Sequence, residues 1–160
     1  MKKINITQIA WNSELYAQGL VLRNTALRRE EGVADLIHAP ESEAKCIHIA
    51  ALHKGNVVGT MHLERVDDIR VKAKQVVVSP TYRGYGIGAA MMQQAEAAAK
   101  SEGYKVLILN AKEDAYGFYD RLGYRPYGEP YRSNSIIVRP YHKVLCIFNE
   151  MDAAEHTLAS

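Results

Sequence analysis

The alternation of apolar and polar positions predicts a chain of short strands and helices. Residues 4–9 alternate with a period of two, which is typical of a half-buried strand. An apolar stripe at helical spacing follows, and Asn12 or Ser13 can cap this helix, which we expect to run to about Glu31 before Gly32. Residues 33–44 carry little pattern and predict a loop with room for a short helix.

The middle of the chain predicts a hairpin, a further strand and a long helix. Residues 46–53 and 56–66 read as strands, and Lys54-Gly55-Asn56 between them is a strong hairpin signal. A strand over residues 70–78 ends before Pro80, which cannot donate a ladder hydrogen bond. An alanine-rich helix over about residues 89–102 follows.

The last third predicts a mixed sheet. Residues 104–109 are nearly all apolar, as expected for a central strand buried on both faces. A short helix over 113–122, strands over 124–128 and 135–148, and a polar surface loop over 129–134 complete the order β-α-β-β-β-α-β-α-β-β. We therefore expect an α/β fold, a mixed sheet with helices on both faces, in one domain over residues 1–150. Residues 151–160 read as a C-terminal extension.

Composition narrows the class of protein. The net charge of +2 gives no argument for nucleic acid, and no run of 18 apolar residues suggests a membrane span. Because the N-terminus lacks an apolar signal segment, we expect a cytoplasmic protein. Cys46 and Cys146 lie in apolar runs and are interpreted as buried free thiols, with a disulfide or metal pair as the alternative. The histidines show no metal-ligand spacing, so no metal is expected.

Three glycines at alternate positions, Gly84, Gly86 and Gly88, separate the strand ending at Val78 from the alanine-rich helix. Glycine permits a positive φ and close backbone approach, and a helix start offers free N–H groups to an anion. Arg83 adds a fixed positive charge. This arrangement predicts a phosphate-binding loop.

The residues before and after these glycines limit which phosphate-containing ligand the loop could bind. No Lys-Ser or Lys-Thr follows a glycine as a P-loop requires. Gly84-x-Gly86-x-x-Ala89 formally satisfies a dinucleotide fingerprint, but residues 79–83 separate it from the strand. The next strand also ends at Asn110 rather than at an acidic residue. A nicotinamide-dependent oxidoreductase therefore stays a remote alternative, and glycines that only satisfy turn geometry stay another.

Two motifs resemble the GNAT superfamily of N-acetyltransferases. Arg83-Gly84-Tyr85-Gly86-Ile87-Gly88 is similar to its Arg/Gln-x-x-Gly-x-Gly/Ala signature, after the Val-x-Pro-x-Tyr register that begins at Val78. Residues 115–124 resemble its Ala-x-x-Phe-Tyr-x-x-x-Gly-Phe/Tyr pattern. The resemblance covers most of residues 1–148 and implies the acyl-CoA N-acyltransferase fold of small bacterial-type members, with substrate unassigned.

The resemblance implies transfer of an acetyl group from acetyl-CoA to a primary amine of a small molecule or peptide. Tyr119 matches the family's general acid, with a core aromatic role as its alternative, and a backbone N–H near Val78 would stabilise the oxyanion. Asn110 would form hydrogen bonds with CoA or with a strand backbone. Lys112 occupies the position where the family more often has an asparagine, and it could instead bind a CoA phosphate. The cofactor-binding residues that the resemblance implies are Val76, Val77 and Val78 for the pantetheine arm and Arg83, Gly84, Tyr85, Gly86, Ile87 and Gly88 for the pyrophosphate.

Other features of the function stay open at this point. The general base could be His62, Glu64, Glu113, His142 or water. Loops 33–44 and 129–134 would set the acceptor, but their charges favour neither a cationic nor an anionic amine. A CoA-binding sensor or interaction module without turnover is the main alternative, and the resemblance also admits a homodimer.

Overall fold

A computed structural model describes residues 3–146 of the chain. Eight strands and three α-helices are present in that range: β1 Asn5–Ile9, α1 Glu14–Arg23, β2 Ile47–His53, β3 Asn56–Arg65, β4 Arg70–Val78, α2 Ile87–Ser101, β5 Val106–Lys112, α3 Tyr116–Arg121, β6 Arg125–Pro126, β7 Tyr131–Ser133 and β8 Ile136–Val144. Single helical turns also occur: a π-helical turn Asn24–Arg28 and 3-10 turns Glu41–Glu43, Pro80–Tyr82 and Glu113–Ala115.

The strands form one mixed sheet in the order β1-β2-β3-β4-β5-β8-β6, with β7 paired to β8. All pairs are antiparallel except β4 and β5, which lie side by side in parallel. The parallel pairing covers only Arg70–Lys72 against Val106–Ile108. Beyond that point the two central strands are no longer hydrogen-bonded, and this local separation positions the site described below.

Helices cover both faces of the sheet, as the sequence predicts. On one face the apolar stripe of α2 places Met91, Met92 and Ala95 in the main core. On the other face α1 begins at Ser13, whose side chain accepts a hydrogen bond from the Tyr16 amide and so caps the helix. Gly19 lets α1 approach β3 closely, because a Cβ there would lie 3.3 Å from the Thr60 hydroxyl.

A buried charged cluster joins α1 to the sheet through Glu43. Arg23 donates to both carboxylate oxygens at 2.8 Å, and the Tyr16 hydroxyl donates to Oε1 at 2.6 Å. Burial by itself would raise the pKa of Glu43, but these hydrogen bonds lower it to about 2. His48 and His62 pair across β2 and β3 beside it, and burial lowers the pKa of His62 to about 4.

Several sequence predictions about the elements need correction. The first helix is α-helical only to Arg23 and then widens into the π-helical turn. Within the predicted loop over 129–134, three residues form β7 because the returning strand β8 offers them a partner. β5 alternates between buried and half-exposed positions, so it is buried on one face only. Cys46 and Cys146 are free but only half-buried, and both lie outside the strands.

The C-terminal predictions fall partly beyond the described range. β8 ends at Val144, whereas the predicted strand reached residue 148, which lies outside the described residues together with the extension over 151–160. Among residues 3–146, no helix combines the length and the apolar character needed to cross a membrane.

Candidate active site

The site is built around a β-bulge in β4. Thr60 pairs with Val77 and His62 pairs with Lys74, so two residues of β4, Gln75 and Val76, oppose Met61 alone. Gln75 adopts φ +55°, a left-handed conformation that costs a glutamine free energy. The bulge occurs where β4 and β5 have already separated. From Ala73 to Val78, the edge of β4 that faces β5 therefore has no strand beside it among the described residues, while the other edge stays paired with β3.

The predicted phosphate loop has the conformation that its glycines permit. Gly84 and Gly86 adopt φ +84° and +77°, values that a residue with a side chain rarely takes. Gly86 caps α2 without a side-chain hydrogen bond. The amides of Ile87 and Gly88 in the first turn of α2 therefore have no partner within the helix and are available to an anion. Arg83 donates from Nε to the Val78 carbonyl at 3.3 Å, which holds its guanidinium at the end of β4.

A cleft of about 640 Å³ runs from this loop along the end of β4. It brings together most of the residues that the resemblance implied: Val76, Val77, Val78, Arg83, Gly84, Gly86, Ile87, Gly88 and Tyr119. Tyr85 does not line it and is 59 % exposed. Gly88 packs tightly against α3, because a Cβ there would lie 3.2 Å from Cζ of Phe118.

A second pocket of about 410 Å³ lies between β4, β5 and the β7–β8 hairpin. Asn110 lines this second pocket and not the cleft, so the structure places it apart from the loop residues with which it was grouped. The cleft and the pocket share a set of lining residues: Leu27, Val76, Lys112, Asp114, Ala115 and Tyr119. The two cavities therefore meet at the gap between β4 and β5.

Tyr119 lies at this junction and is 7 % exposed. Burial raises the pKa of Tyr119 to about 12, so the phenol keeps its proton at neutral pH. Its ring packs edge-on against Phe118, with ring centroids 4.9 Å apart. A tyrosine that borders both cavities and keeps its proton is suited to donate a proton to a group bound between them.

The four side chains considered as a general base lie elsewhere. His62 belongs to the buried cluster under α1, and Glu64 is bonded to Lys74 at 2.9 Å. Glu113 is exposed in the turn before α3, and the ring of His142 packs against Tyr127. None of the four lines the cleft or the second pocket.

Three carboxylates that were not predicted at the site do border the cavities, and one of them, Glu30, lines the cleft. Asp114 lines both cavities, and Glu31 lines the second pocket, where it is 3.4 Å from the Lys112 ammonium. The Glu31 carbonyl accepts a hydrogen bond of 2.6 Å from Ser135, which ties the end of the first helix to the β7–β8 hairpin. Tertiary contacts with Lys112 and Ser135 hold Glu31 at the pocket, so no local signal could have indicated it.

Groups of metal-ligand side chains also meet in the described part of the chain. Glu43, His48 and His62 form one group, and Cys46, His62 and Glu64 form another, although the spacing of the histidines along the chain gave no such indication. Glu43 is already bonded to Arg23 and Tyr16, and His48 Nε2 lies 2.8 Å from the Glu43 carbonyl. We therefore interpret the first group as a structural cluster.

The arrangement defines a class of protein. A helix start with free amides, which is suited to an anion, leads along an open strand edge to a buried tyrosine, and a second pocket opens at the same tyrosine. This geometry fits a long nucleotide thioester whose phosphates lie at the helix and whose reactive end lies between the cavities. The residues present thus fit acetyl-CoA.

Comparison with known proteins agrees with this class. The family model described as an acetyltransferase (GNAT) domain matches residues 44–126. The glucosamine 6-phosphate N-acetyltransferase of Trypanosoma brucei brucei is 30 % identical over 115 residues, which is 67 % of this chain and 70 % of that protein. A protein of Bacillus subtilis (strain 168) is 31 % identical over 91 residues, 57 % of this chain, and the match spans 61 % of that relative, less than two thirds of its length. The chain belongs to the GNAT acetyltransferase family.

Solved structures show the same fold. One from Lactobacillus plantarum has a TM-score of 0.79 at 23 % identity and covers 89 % of this chain and 99 % of its own. A GNAT family acetyltransferase from Elizabethkingia anophelis, solved with acetyl-CoA bound, has a TM-score of 0.64 at 16 % identity and covers 88 % of this chain and 97 % of its own.

Proposed function

We propose that the protein transfers the acetyl group of acetyl-CoA to a primary amine of a small molecule or peptide. The observation that carries this proposal is the continuity of the two cavities. One cavity begins at a helix start suited to phosphates, the other offers an acceptor pocket, and Tyr119 borders both.

The loop would bind the pyrophosphate. The free amides at the start of α2 and the helix dipole favour negative charge there, and Arg83 contributes a full positive charge beside them. The open edge of β4 from Val76 to Val78 would bind the pantetheine arm as an added strand does, by backbone hydrogen bonds.

Acetyl-CoA would supply a thioester. A neutral amine would attack its carbonyl carbon and form the C–N bond, the nitrogen would lose a proton to water, the C–S bond would break, and the leaving thiolate would take up a proton. Tyr119 would donate that proton, since its hydroxyl is protonated at neutral pH and the residue borders both cavities. A backbone N–H near Val78 would stabilise the negative charge that develops on the carbonyl oxygen. Asp114, at the same junction, would attract the acceptor as an ammonium ion before it loses its proton.

The relatives support an amine of a small molecule as the acceptor. The Trypanosoma brucei brucei protein is named for an amino sugar phosphate. The second pocket, about 410 Å³, is in the size range of small-molecule sites.

The test is thiol release from acetyl-CoA with a panel of amines, together with calorimetric titration of acetyl-CoA. Tyr119→Phe should lower kcat by about 100-fold or more while leaving the acetyl-CoA Kd within about twofold. Tyr104→Phe is the matched control, since Tyr104 is also partly buried against the core but lines neither cavity. An unchanged rate in Tyr119→Phe would remove its proton-donor role.

The same measurements distinguish the alternative function. β4 presents Lys72, Lys74 and Gln75 to the second pocket and no carboxylate, which leaves room for a module that binds CoA without turnover. Tight acetyl-CoA binding with no thiol release for any amine would favour that module. Binding of NADH in place of acetyl-CoA would instead point to an oxidoreductase.

A further inference from the structure

The charges around the second pocket differ between its two ends. At the junction with the cleft stands Asp114, and within residues 3–146 no ion pair neutralises it. At the opposite end, where β4 and β5 still pair, stands Lys72 opposite Ile108. The junction also carries Lys112, which is paired with Glu31, and the far end lies beside Glu64, which faces Lys72 across the β3–β4 ladder and is paired with Lys74. Among the described residues, each end therefore keeps one charge without an ion pair, negative at Asp114 and positive at Lys72.

Three lysines line this pocket, and Lys72 is the one that forms no ion pair within the described residues. Lys74 is bonded to Glu64 at 2.9 Å, and Lys112 is 3.4 Å from Glu31. Lys72 forms no ion pair with any other residue in the described range, and it is half-buried. A half-buried cation with no partner binds an anion more strongly than an exposed one does, because less solvent screens it.

A polar atom without a partner lies between the two ends. Gln75 Oε1 is buried and accepts no hydrogen bond within the described part of the chain, although buried polar atoms nearly always have a partner. Gln75 lines the second pocket and is also the residue held at φ +55° by the bulge. A donor group on a bound molecule would satisfy this oxygen, which indicates that the pocket is shaped for a polar ligand.

The strand sets the distance between the two ends. Lys72 and Val76 are four residues apart on β4, at most about 13 Å at roughly 3.3 Å per residue of regular strand, and the bulge at Gln75 shortens this distance. An extended lysine side chain is shorter than this distance, so a ligand that joins the two ends must span several bonds. An α-amino acid, whose carboxylate is two bonds from its amine nitrogen, is too short to reach both ends.

We propose that the acceptor is a primary amine that also carries a carboxylate or phosphate several bonds away, with the anion bound by Lys72. This inference rests on the acetyltransferase function proposed above and adds the chemical class of its acceptor. Asp114 then attracts the amine end, Lys72 binds the anionic end, and the amine meets the thioester beside Tyr119.

The experiment compares amines of one length and different charge. 6-Aminohexanol, 6-aminohexanoate and 6-aminohexyl phosphate present the same amine with a neutral, a carboxylate or a phosphate end, and glycine supplies the short zwitterion. We expect kcat/KM for at least one of the two long anionic amines to exceed that for 6-aminohexanol about tenfold or more, mainly through KM. The carboxylate and phosphate arms show which anion the site prefers.

Variants then assign the effect to Lys72. Lys72→Gln should reduce the ratio of kcat/KM between the preferred anionic amine and the alcohol to about one. The control Lys100→Gln should keep the wild-type ratio, because Lys100 is exposed in the last turn of α2 and lines neither cavity.

The outcomes separate the two proposals. Acetylation of the alcohol or of glycine as efficient as that of both long anionic amines, or an unchanged ratio in Lys72→Gln, overturns this inference and leaves the acetyltransferase function standing. No thiol release with any amine, despite acetyl-CoA binding, overturns the proposed function and this inference with it.

Discussion

When the pH is lowered, the folded protein should first lose stability through His62, at pH values above those at which its carboxylates take up protons. His62 is 2 % exposed, and burial lowers its pKa to about 4, against about 6.5 for histidine in an unfolded chain. A group whose pKa is lower in the folded state binds more protons when unfolded, so its contribution is fully present above pH 6.5 and is lost as the pH falls toward 4.

The magnitude follows from the difference between the two pKa values. A difference of roughly 2.5 pKa units corresponds to about 3 kcal/mol in full, of which about 2 kcal/mol should be lost between pH 7 and pH 5. The pKa of Glu43 is lowered to about 2. Its contribution to the free energy of unfolding is therefore also lost on acidification, but at lower pH: it is present above about pH 4.5 and is lost toward pH 2. Burial also lowers the pKa of His48, so protonation of His48 adds to the loss of stability that His62 causes as the pH falls below 6.5.

The assay is urea unfolding at pH 7, 6 and 5, followed by the fluorescence of Trp11, the single tryptophan. Its indole donates to the Pro40 carbonyl at 3.1 Å, so the signal reports on the segment that carries Glu43. His62→Leu should flatten the dependence on pH by about 2 kcal/mol, whereas His38→Gln, at an exposed position, should not change it. A wild-type free energy of unfolding that is equal at pH 7 and pH 5, or a full slope in His62→Leu, would refute the reasoning.

Three further substitutions test other parts of the structure. Glu43→Ala leaves the Arg23 guanidinium buried without its partner and should cost about 3–5 kcal/mol in urea unfolding; a cost below about 1 kcal/mol would contradict the buried pair. Gln75→Gly relieves the left-handed strain, so stability should stay within about 1 kcal/mol while kcat/KM for the amine falls; unchanged kinetics would remove its binding role. Gly88→Leu should weaken acetyl-CoA binding in calorimetry, because a side chain there meets Phe118 at the cleft; unaltered affinity would place the ligand elsewhere.

The parts of the fold that local chemistry determines could be predicted from the sequence. The bounds of β4, the hairpin at Lys54 and Gly55, and the Ser13 cap of α1 all follow from signals within a few residues. The positive φ values of Gly84 and Gly86 follow from the glycine pattern in the same way. The GNAT family was predictable because two motifs coincide with these elements.

The parts that depend on tertiary packing could not be predicted. The bulge at Gln75 arises from its register with β3, and glutamine gives no local signal for a left-handed residue. Asn110 lines the second pocket because β5 separates from β4 after Ile108. No residue of β5 by itself indicates this separation. Glu31 and Asp114 likewise reach the site through segments whose positions other elements determine.

The most direct test of the central claim is calorimetric titration of acetyl-CoA into the wild-type protein and two glycine variants. Gly86 and Gly103 both have positive φ, and a Cβ at either would meet no described atom within 4 Å, so Gly86→Leu and Gly103→Leu should carry similar backbone strain. They lie at opposite ends of α2, and Gly86 alone of the two lines the cleft. Circular dichroism checks that both variants fold.

We expect the wild-type protein and Gly103→Leu to bind acetyl-CoA with similar Kd, and Gly86→Leu to bind it at least about tenfold more weakly. Absence of binding by the wild-type protein at millimolar acetyl-CoA, or equal affinity in both variants, would contradict the claim that the start of α2 binds this ligand.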